Sequence, residues 1–213
     1  MYEYIKKEVL KTAMKLNEYG LIKMSAGNIS VRCTDNSEEI IVTPSGINYE
    51  EIGEKDLIVI NMNKQVLEGT RRLSYDIDAL IYIYKKMPGV NAIIHTHQVY
   101  ATAVGLISDT LPLLTTTLAN AVGGEVKVAP FSSAASIEMG IKAVDYLDNR
   151  KAVILKNHGV ITIGKRLKEA LYAAVYLEET AKIYCLTKPI GKPCILNKDQ
   201  SEQTVKIFED YIH

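Results

Sequence analysis

The sequence is poor in several residue types, and each shortage narrows what the protein can be. It has no tryptophan, two phenylalanines and three cysteines among 213 residues. Cys33, Cys185 and Cys194 are odd in number, lie far apart and form no C-x-x-C pair. We therefore expect neither a disulfide framework nor a cysteine zinc site. This cysteine usage favours a protein of the reducing cytoplasm.

Excess charge and long apolar runs are also missing. Lys+Arg and Asp+Glu both number 25, so the formal net charge is zero and there is no basic surplus that would attract nucleic acid. No stretch approaches the roughly 18 apolar residues of a membrane span. The N-terminal segment lacks the apolar region and cleavage site of a signal peptide. We expect neither a nucleic-acid nor a membrane partner.

Apolar periodicity predicts several helices. A stripe through Ile5, Val9 and Leu16 predicts an opening helix that ends at Gly20. A second helix is predicted from Ser74, taken as its N-cap, to the Pro-Gly pair at 88–89. Leucines and alanines at helical spacing predict a third helix over residues 167–186.

Short apolar runs interrupted by turn residues predict β-hairpins over residues 56–69 and 151–164. A further strand is predicted before His95. Strands and helices mix without strict βαβ alternation. The pattern predicts an α/β fold, with helices packed on a largely antiparallel sheet, in a single domain over residues 1–213.

Three of the four histidines fall at predicted strand ends. His95 and His97 are two residues apart, so their side chains point to the same side of a strand. His158 lies on a turn where Gly159 permits close approach. Neutral imidazoles suit Zn²⁺, Mn²⁺, Fe²⁺ or Co²⁺, and three ligands leave one position open for chemistry. The residues predict a metal site bordered by Asp76, with a purely structural His-x-His pair as the alternative.

Three turns carry small polar residues that can bind an anion. They are Gly27-Asn28, Ser45-Gly46 and the turn at Ser74. Backbone N–H groups, serine hydroxyls and an asparagine amide can hold a phosphate without basic side chains. The same residues are ordinary in turns, so two interpretations of each turn stay open.

Five short motifs together resemble the class II aldolase/adducin family. They are GNIS, TPSG, S-x-D before a helix, HTH and NHG, in this order between about Leu21 and Leu186. The resemblance implies a three-layer α/β/α fold around a central, mostly antiparallel sheet. It also implies a homotetramer whose active sites lie at subunit interfaces.

The resemblance also implies roles for individual residues. It implies a divalent metal, most often Zn²⁺ with Mn²⁺ or Co²⁺ possible, and Asp76 as both metal ligand and proton-transfer base. It implies a catalytic Tyr211 that reaches a neighbouring site. The implied metal ligands are His95, His97, His158 and Asp76, and the implied phosphate-binding residues are Gly27, Asn28, Ser45, Gly46 and Ser74.

The implied activity is that of a class II aldolase of the L-fuculose-1-phosphate aldolase type. Such an enzyme cleaves a ketose 1-phosphate into dihydroxyacetone phosphate and an aldehyde by retro-aldol chemistry. The alternatives are a 4-epimerase of the L-ribulose-5-phosphate type, a decarboxylase or dehydratase, and a non-catalytic adducin-like binding domain. Because all three histidines are kept, the binding domain is the least favoured.

The chain departs from the family pattern at four positions. Tyr75 stands where a second serine is common, and Leu80 stands where many members have histidine. Thr116 replaces a catalytic tyrosine of the fuculose-phosphate type, and Asn120 replaces a catalytic aspartate of the epimerases. Because asparagine cannot exchange that proton, Asn120 counts against the epimerase.

Overall fold

The computed structural model describes residues 2–34 and 37–212, with side chains as far as residue 205. None of the described helices combines the length and apolar character needed to cross a membrane. The helices are α1 (Tyr2–Glu18), α2 (Ile77–Lys86), α3 (Val99–Ile107), α4 (Thr116–Val122), α5 (Ile137–Leu147), α6 (Leu167–Thr187) and α7 (Lys198–Ile212). The strands are β1 (Asn28–Arg32), β2 (Glu39–Val42), β3 (Ile58–Asn61), β4 (Val66–Glu68), β5 (Ala92–Thr96), β6 (Thr110–Leu111), β7 (Val126–Ala129), β8 (Ala152–Leu155) and β9 (Gly159–Gly164).

The nine strands of the described residues form one sheet in the order β4-β3-β2-β1-β5-β9-β8-β7-β6. Only β7 and β8 pair in parallel, and their connection runs through α5, because a parallel pair needs a crossover. Both predicted hairpins, β3–β4 and β8–β9, are antiparallel. The prediction of a mostly antiparallel α/β fold is confirmed.

Helices cover both faces of this sheet, which gives the three layers. Side chains alternate between faces along a strand, so Ile93 packs with α2 and α5 while Ala92 and Ile94 pack with α1 and α6. A third apolar cluster joins α3, α4 and α6 to the β7–β9 end of the sheet. His95, two residues after Ile93, therefore faces the α2 side.

The predicted start of α2 is wrong by two residues, since the N-cap position is Asp76 and not Ser74. The helix begins at Ile77, and Asp76 is the residue that precedes it. The Ser74 hydroxyl accepts a hydrogen bond from the Asp76 N–H at 3.3 Å, so it closes a local turn and does not cap the helix. The carboxylate of Asp76 makes no capping bond to α2 and is left for other contacts. Strand β6 and helix α4 were not predicted, since two and seven residues carry little periodic signal.

We predict that Gly140→Ala destabilises the contact between α5 and α2. A methyl group at Gly140 would lie 2.6 Å from the carbonyl oxygen of Ala79 and 2.8 Å from its Cα. Because these are backbone atoms, we expect a loss of about 1–3 kcal/mol in the free energy of unfolding. Urea denaturation measures it. Gly89→Ala is the control, since nothing lies within 4 Å of its Cβ, and equal stability of the two variants would contradict the packing.

Candidate metal centre and adjoining cleft

Three histidines from two parts of the chain converge at one end of the central strands. His95 lies in β5, His97 follows that strand directly, and His158 lies on the turn between β8 and β9. Their ring centroids are 4.8–4.9 Å apart. One ligand nitrogen from each lies within 4.8 Å of the other two. The three imidazoles are therefore close enough to bind one ion.

The hydrogen bonds of His95 settle which of its nitrogens is available. This ring is fully buried, and its Nδ1–H donates to the carbonyl oxygen of Val160 at 2.8 Å. Nε2 therefore carries the lone pair, and it lies within hydrogen-bond distance, 3.1 Å, of Nε2 of His97. Two nitrogens that each bind zinc at about 2.05 Å in tetrahedral geometry lie about 3.3 Å apart. This donor set fits a divalent cation.

His158 adds a nitrogen that has no partner. Its Nδ1 is buried without a hydrogen-bond partner among the described residues. An unpaired buried nitrogen costs free energy that a bound ligand would recover. The third member of the group is therefore also suited to hold an ion.

Desolvation favours the neutral form of the three imidazoles, most strongly for His95, which is fully buried, whereas His97 is exposed and His158 half-buried. Desolvation lowers the pKa of His95 to about 4, although the nearby Asp76 carboxylate acts in the opposite direction. Desolvation also lowers the pKa of His97 and of His158. Metal binding requires neutral imidazole. At pH 7 no proton has to leave before these rings accept an ion.

Gly159 allows the two histidine-bearing segments to come together. A Cβ at this position would lie 2.3 Å from the carbonyl oxygen of Thr96 and 3.2 Å from Cα of His97. Any other residue would push the β8–β9 turn away from the end of β5. The prediction that Gly159 permits close approach is confirmed by these distances.

Asp76 lies beside the histidines, held by two hydrogen bonds. Its Oδ2 accepts from the Asn28 side-chain amide at 3.0 Å, and its Oδ1 accepts from the Ala135 N–H at 3.2 Å. Its Oδ2 is 3.8 Å from Nε2 of His95. Both carboxylate oxygens are thus oriented by the protein, at the edge of the three-histidine group.

A cleft of about 280 Å³ opens next to His97, His158 and Asp76. Serine, glycine and alanine dominate its wall, and no lysine or arginine is among the described residues that line it. The other lining residues are Ser25, Gly27, Pro44, Ser45, Ser74, Tyr75, Ala134 and Ala135.

Three of the five predicted phosphate-binding residues line the cleft, and two do not. Gly27, Ser45 and Ser74 line the cleft. Asn28 is buried beneath it, and its amide donates to Ser74 as well as to Asp76. Gly46 follows Ser45 in the same turn, in the left-handed region with φ 77°.

The Ser45 N–H already donates to the carbonyl oxygen of Arg72 at 2.9 Å. It is not free for an anion, so at Ser45 the hydroxyl is the group available for binding.

The four departures from the family pattern lie in different surroundings. Tyr75 lines the cleft, and the Arg72 guanidinium stacks 4.5 Å from its ring centroid. Leu80 is fully buried in α2. Thr116 begins α4, where the Oδ1 of Asn120 is buried without a partner among the described residues.

Tyr211 belongs to the backbone of α7, but its side chain lies outside the described residues. Its predicted catalytic role stays a prediction.

Several contributors carry no sequence signal. Ser25, Ala134 and Ala135 line the cleft through position alone, whereas Pro44, another lining residue, belongs to the TPSG motif. Ala135 acts through its backbone N–H, in a left-handed conformation with φ 59° that is uncommon for alanine. Backbone donors of this kind cannot be recognised by residue type.

We predict that the metal-free protein loses stability as the pH falls from about 6.5 to 4. The unfolded histidines bind protons near pH 6.5, whereas His95 in the folded protein does so only at about 4. The unfolded state therefore binds more protons in this window, and His95 alone contributes a loss of about 2 kcal/mol at pH 5. Urea denaturation at pH 7 and pH 5 measures it. His95→Gln should show a shallower dependence, and an unchanged slope would contradict the assignment.

Comparison with known proteins matches this chain to a family. The model of the Class II Aldolase and Adducin N-terminal domain matches residues 7–185. A 5-deoxy-D-ribulose 1-phosphate aldolase from Bacillus thuringiensis is 33% identical over 97% of this chain and 96% of its own. An L-fuculose phosphate aldolase from Escherichia coli is 30% identical over 96% of this chain and 94% of its own.

A solved L-fuculose 1-phosphate aldolase has the same fold. It superposes with a TM-score of 0.89 at 33% identity, and the match covers 96% of this chain and 95% of that one. Both the sequence and the fold of this chain thus match those of the relatives along nearly its whole length. The chain belongs to the class II aldolase and adducin family.

Proposed function

We propose that this protein is a metal-dependent aldolase that cleaves a ketose 1-phosphate into dihydroxyacetone phosphate and an aldehyde. The observation that carries the proposal is the cluster of three neutral histidines at a cleft, with an oriented carboxylate 3.8 Å from one of them. The names of the relatives, a deoxyribulose-phosphate and a fuculose-phosphate aldolase, support this chemistry.

His95, His97 and His158 would hold the divalent ion, for which we propose Zn²⁺, with Mn²⁺ and Co²⁺ as other ions that imidazoles accept. When bound, such an ion supplies a Lewis acid that polarises a carbonyl oxygen. The Val160 carbonyl fixes the His95 tautomer and ring, so that Nε2 is presented to the ion.

Asp76 is proposed as the base that moves the proton. In the condensation direction it takes a proton from the carbon next to the carbonyl of dihydroxyacetone phosphate. In the cleavage direction it returns that proton after the bond between C3 and C4 breaks. The hydrogen bonds from Asn28 and Ala135 hold its carboxylate in one orientation. This reduces the entropy that is lost when the base is oriented for proton transfer. We also propose Asp76 as a further ligand of the ion.

The serine-lined part of the cleft is proposed to bind the phosphate. The hydroxyls of Ser45 and Ser74, with backbone N–H groups near Gly27 and Gly46, would donate to its oxygens. Asn28 supports this wall by its bond to Ser74.

Tyr211 of a neighbouring subunit is proposed to protonate the aldehyde oxygen, in a homotetramer whose subunits complete each other's sites. The proposal for Tyr211 follows the family pattern.

Chelation is predicted to remove activity. Dialysis against a strong chelator should lower cleavage of a ketose 1-phosphate to the background rate, because no lysine that could form a Schiff base instead is among the residues that line the described cleft. Adding Zn²⁺, Mn²⁺ or Co²⁺ should restore it. Release of dihydroxyacetone phosphate, followed by a coupled reductase, measures the rate. Full activity in protein shown by elemental analysis to be metal-free would refute the proposal.

Asp76→Asn is predicted to separate metal binding from proton transfer. The amide keeps the shape of the side chain but cannot accept a proton, so exchange at dihydroxyacetone phosphate in D₂O should slow by about 100-fold or more. NMR follows the exchange. Asp78→Asn is the control, because Asp78 lies in the first turn of α2 and pairs with Lys64. Normal exchange in Asp76→Asn would exclude Asp76 as the base.

The products separate the aldolase from a 4-epimerase. A lyase releases an aldehyde, and an epimerase returns a second ketose phosphate of the same mass. NMR of the products from a ketose 1-phosphate and from a ketose 5-phosphate distinguishes them. We expect aldehyde, since Asn120 lacks a transferable carboxylic proton.

A further inference from the structure

Among the three histidines, His97 is the one that lies between a strand and a helix. Strand β5 ends at Thr96, and helix α3 begins at Val99. His97 and Gln98 form the whole connection between the two. By contrast, His95 lies within β5 and bonds to Val160, and the His158 N–H donates to Leu155 within the hairpin.

Helix α6 holds both sides of this connection. Gln98 is buried, and its amide donates to the carbonyl oxygen of Ala174 at 3.0 Å. One turn further along α6, the two carboxylate oxygens of Glu178 accept from the N–H groups of Tyr100 and Ala101, each at 2.9 Å. The segment after His97 is thus attached to α6 at three points.

Glu178 takes the place of an N-cap side chain at the start of α3. The first N–H groups of any helix lack partners within the helix, and the side chain of Gln98 makes no capping bond. A carboxylate is well suited to this end of a helix, because it satisfies the N–H groups and opposes the positive end of the helix dipole. The start of α3 is therefore fixed by a residue of another helix.

We propose that Glu178 is a positioning residue of the metal site, acting through His97. Glu178 belongs neither to the three-histidine group nor to the residues that line the cleft. It fixes the first turn of α3, and the two-residue connection transmits that position to the His97 ring. This inference rests on the part of the proposed function that assigns an ion to the three histidines.

Glu178→Gln tests the proposal, because glutamine has a similar shape and only one acceptor oxygen for two N–H donors. Zn²⁺ alone is titrated into metal-free protein in competition with a chromophoric chelator. We expect the Zn²⁺ affinity of Glu178→Gln to fall about ten-fold, a size typical of lost support for a metal ligand. Glu179→Gln is the control: it is the adjacent, exposed glutamate of α6 and should bind Zn²⁺ as the wild type does.

A second pair of variants tests whether the effect passes through His97. In a His97→Ala background, Glu178→Gln should leave the remaining Zn²⁺ affinity unchanged, because the residue that it positions is absent. In a His158→Ala background it should still weaken binding about ten-fold. Gln98→Met, which removes the bond to Ala174, provides an independent variant with the same expected direction.

Three results would overturn the proposal. One is unchanged Zn²⁺ affinity in Glu178→Gln while the free energy of unfolding falls, which would make Glu178 a structural cap only. Another is an equal loss of affinity in the His97→Ala background. A wild-type protein that binds no Zn²⁺ would remove the metal site as well. Normal Zn²⁺ binding without aldol cleavage would refute only the reaction and leave the role of Glu178 standing.

Discussion

The pairing of β5 with β9 is the constraint on which the rest of the site depends. His95 stands opposite Ile161 and Thr96 opposite Val160 in this ladder, and the Val160 carbonyl is the oxygen that fixes the His95 ring. Side chains alternate along a strand, so a shift of one residue would turn His95 to the opposite face of the sheet. In the observed register Ile93 packs under α2 and α5 and Ile94 under α1 and α6, so both faces of β5 are buried.

Turns and loops around the paired strands β5 and β9 supply the other parts of the site. The turn between β8 and β9 brings His158 into contact range, and the residue before α2 supplies a carboxylate whose oxygens meet Asn28 and Ala135. Functional groups are commonly placed on such connections, because a rigid scaffold holds their ends. The three rings differ in exposure: His95 is fully buried and bonds to Val160, whereas the more exposed His97 and His158 line the cleft.

The sequence predicted the parts of this structure that depend on periodicity and on unusual residue types. The helix over residues 167–186 and both hairpins follow from spacing, and the three histidines stood out because histidine is rare in the chain. The sequence did not predict the start of α2, because Ser74 has the chemistry of a cap but bonds to Asp76 before the helix begins. Nor could it reveal Ala135, whose contribution is a backbone N–H placed by the loop before α5.

The missing basic side chains of the cleft wall have a consequence for the order of binding. Asp76 is the one charged residue among those that line the described cleft, so the lining residues by themselves contribute a charge of about −1; the Arg72 guanidinium lies behind the lining Tyr75, 4.5 Å from its ring centroid. Under the proposed function, a divalent ion reverses that sign. The ion and an anionic sugar would then be thermodynamically linked, each increasing the affinity for the other by the same factor. The cleft would bind a sugar phosphate weakly until the divalent cation is bound. The cation would thus control substrate binding as well as take part in the reaction.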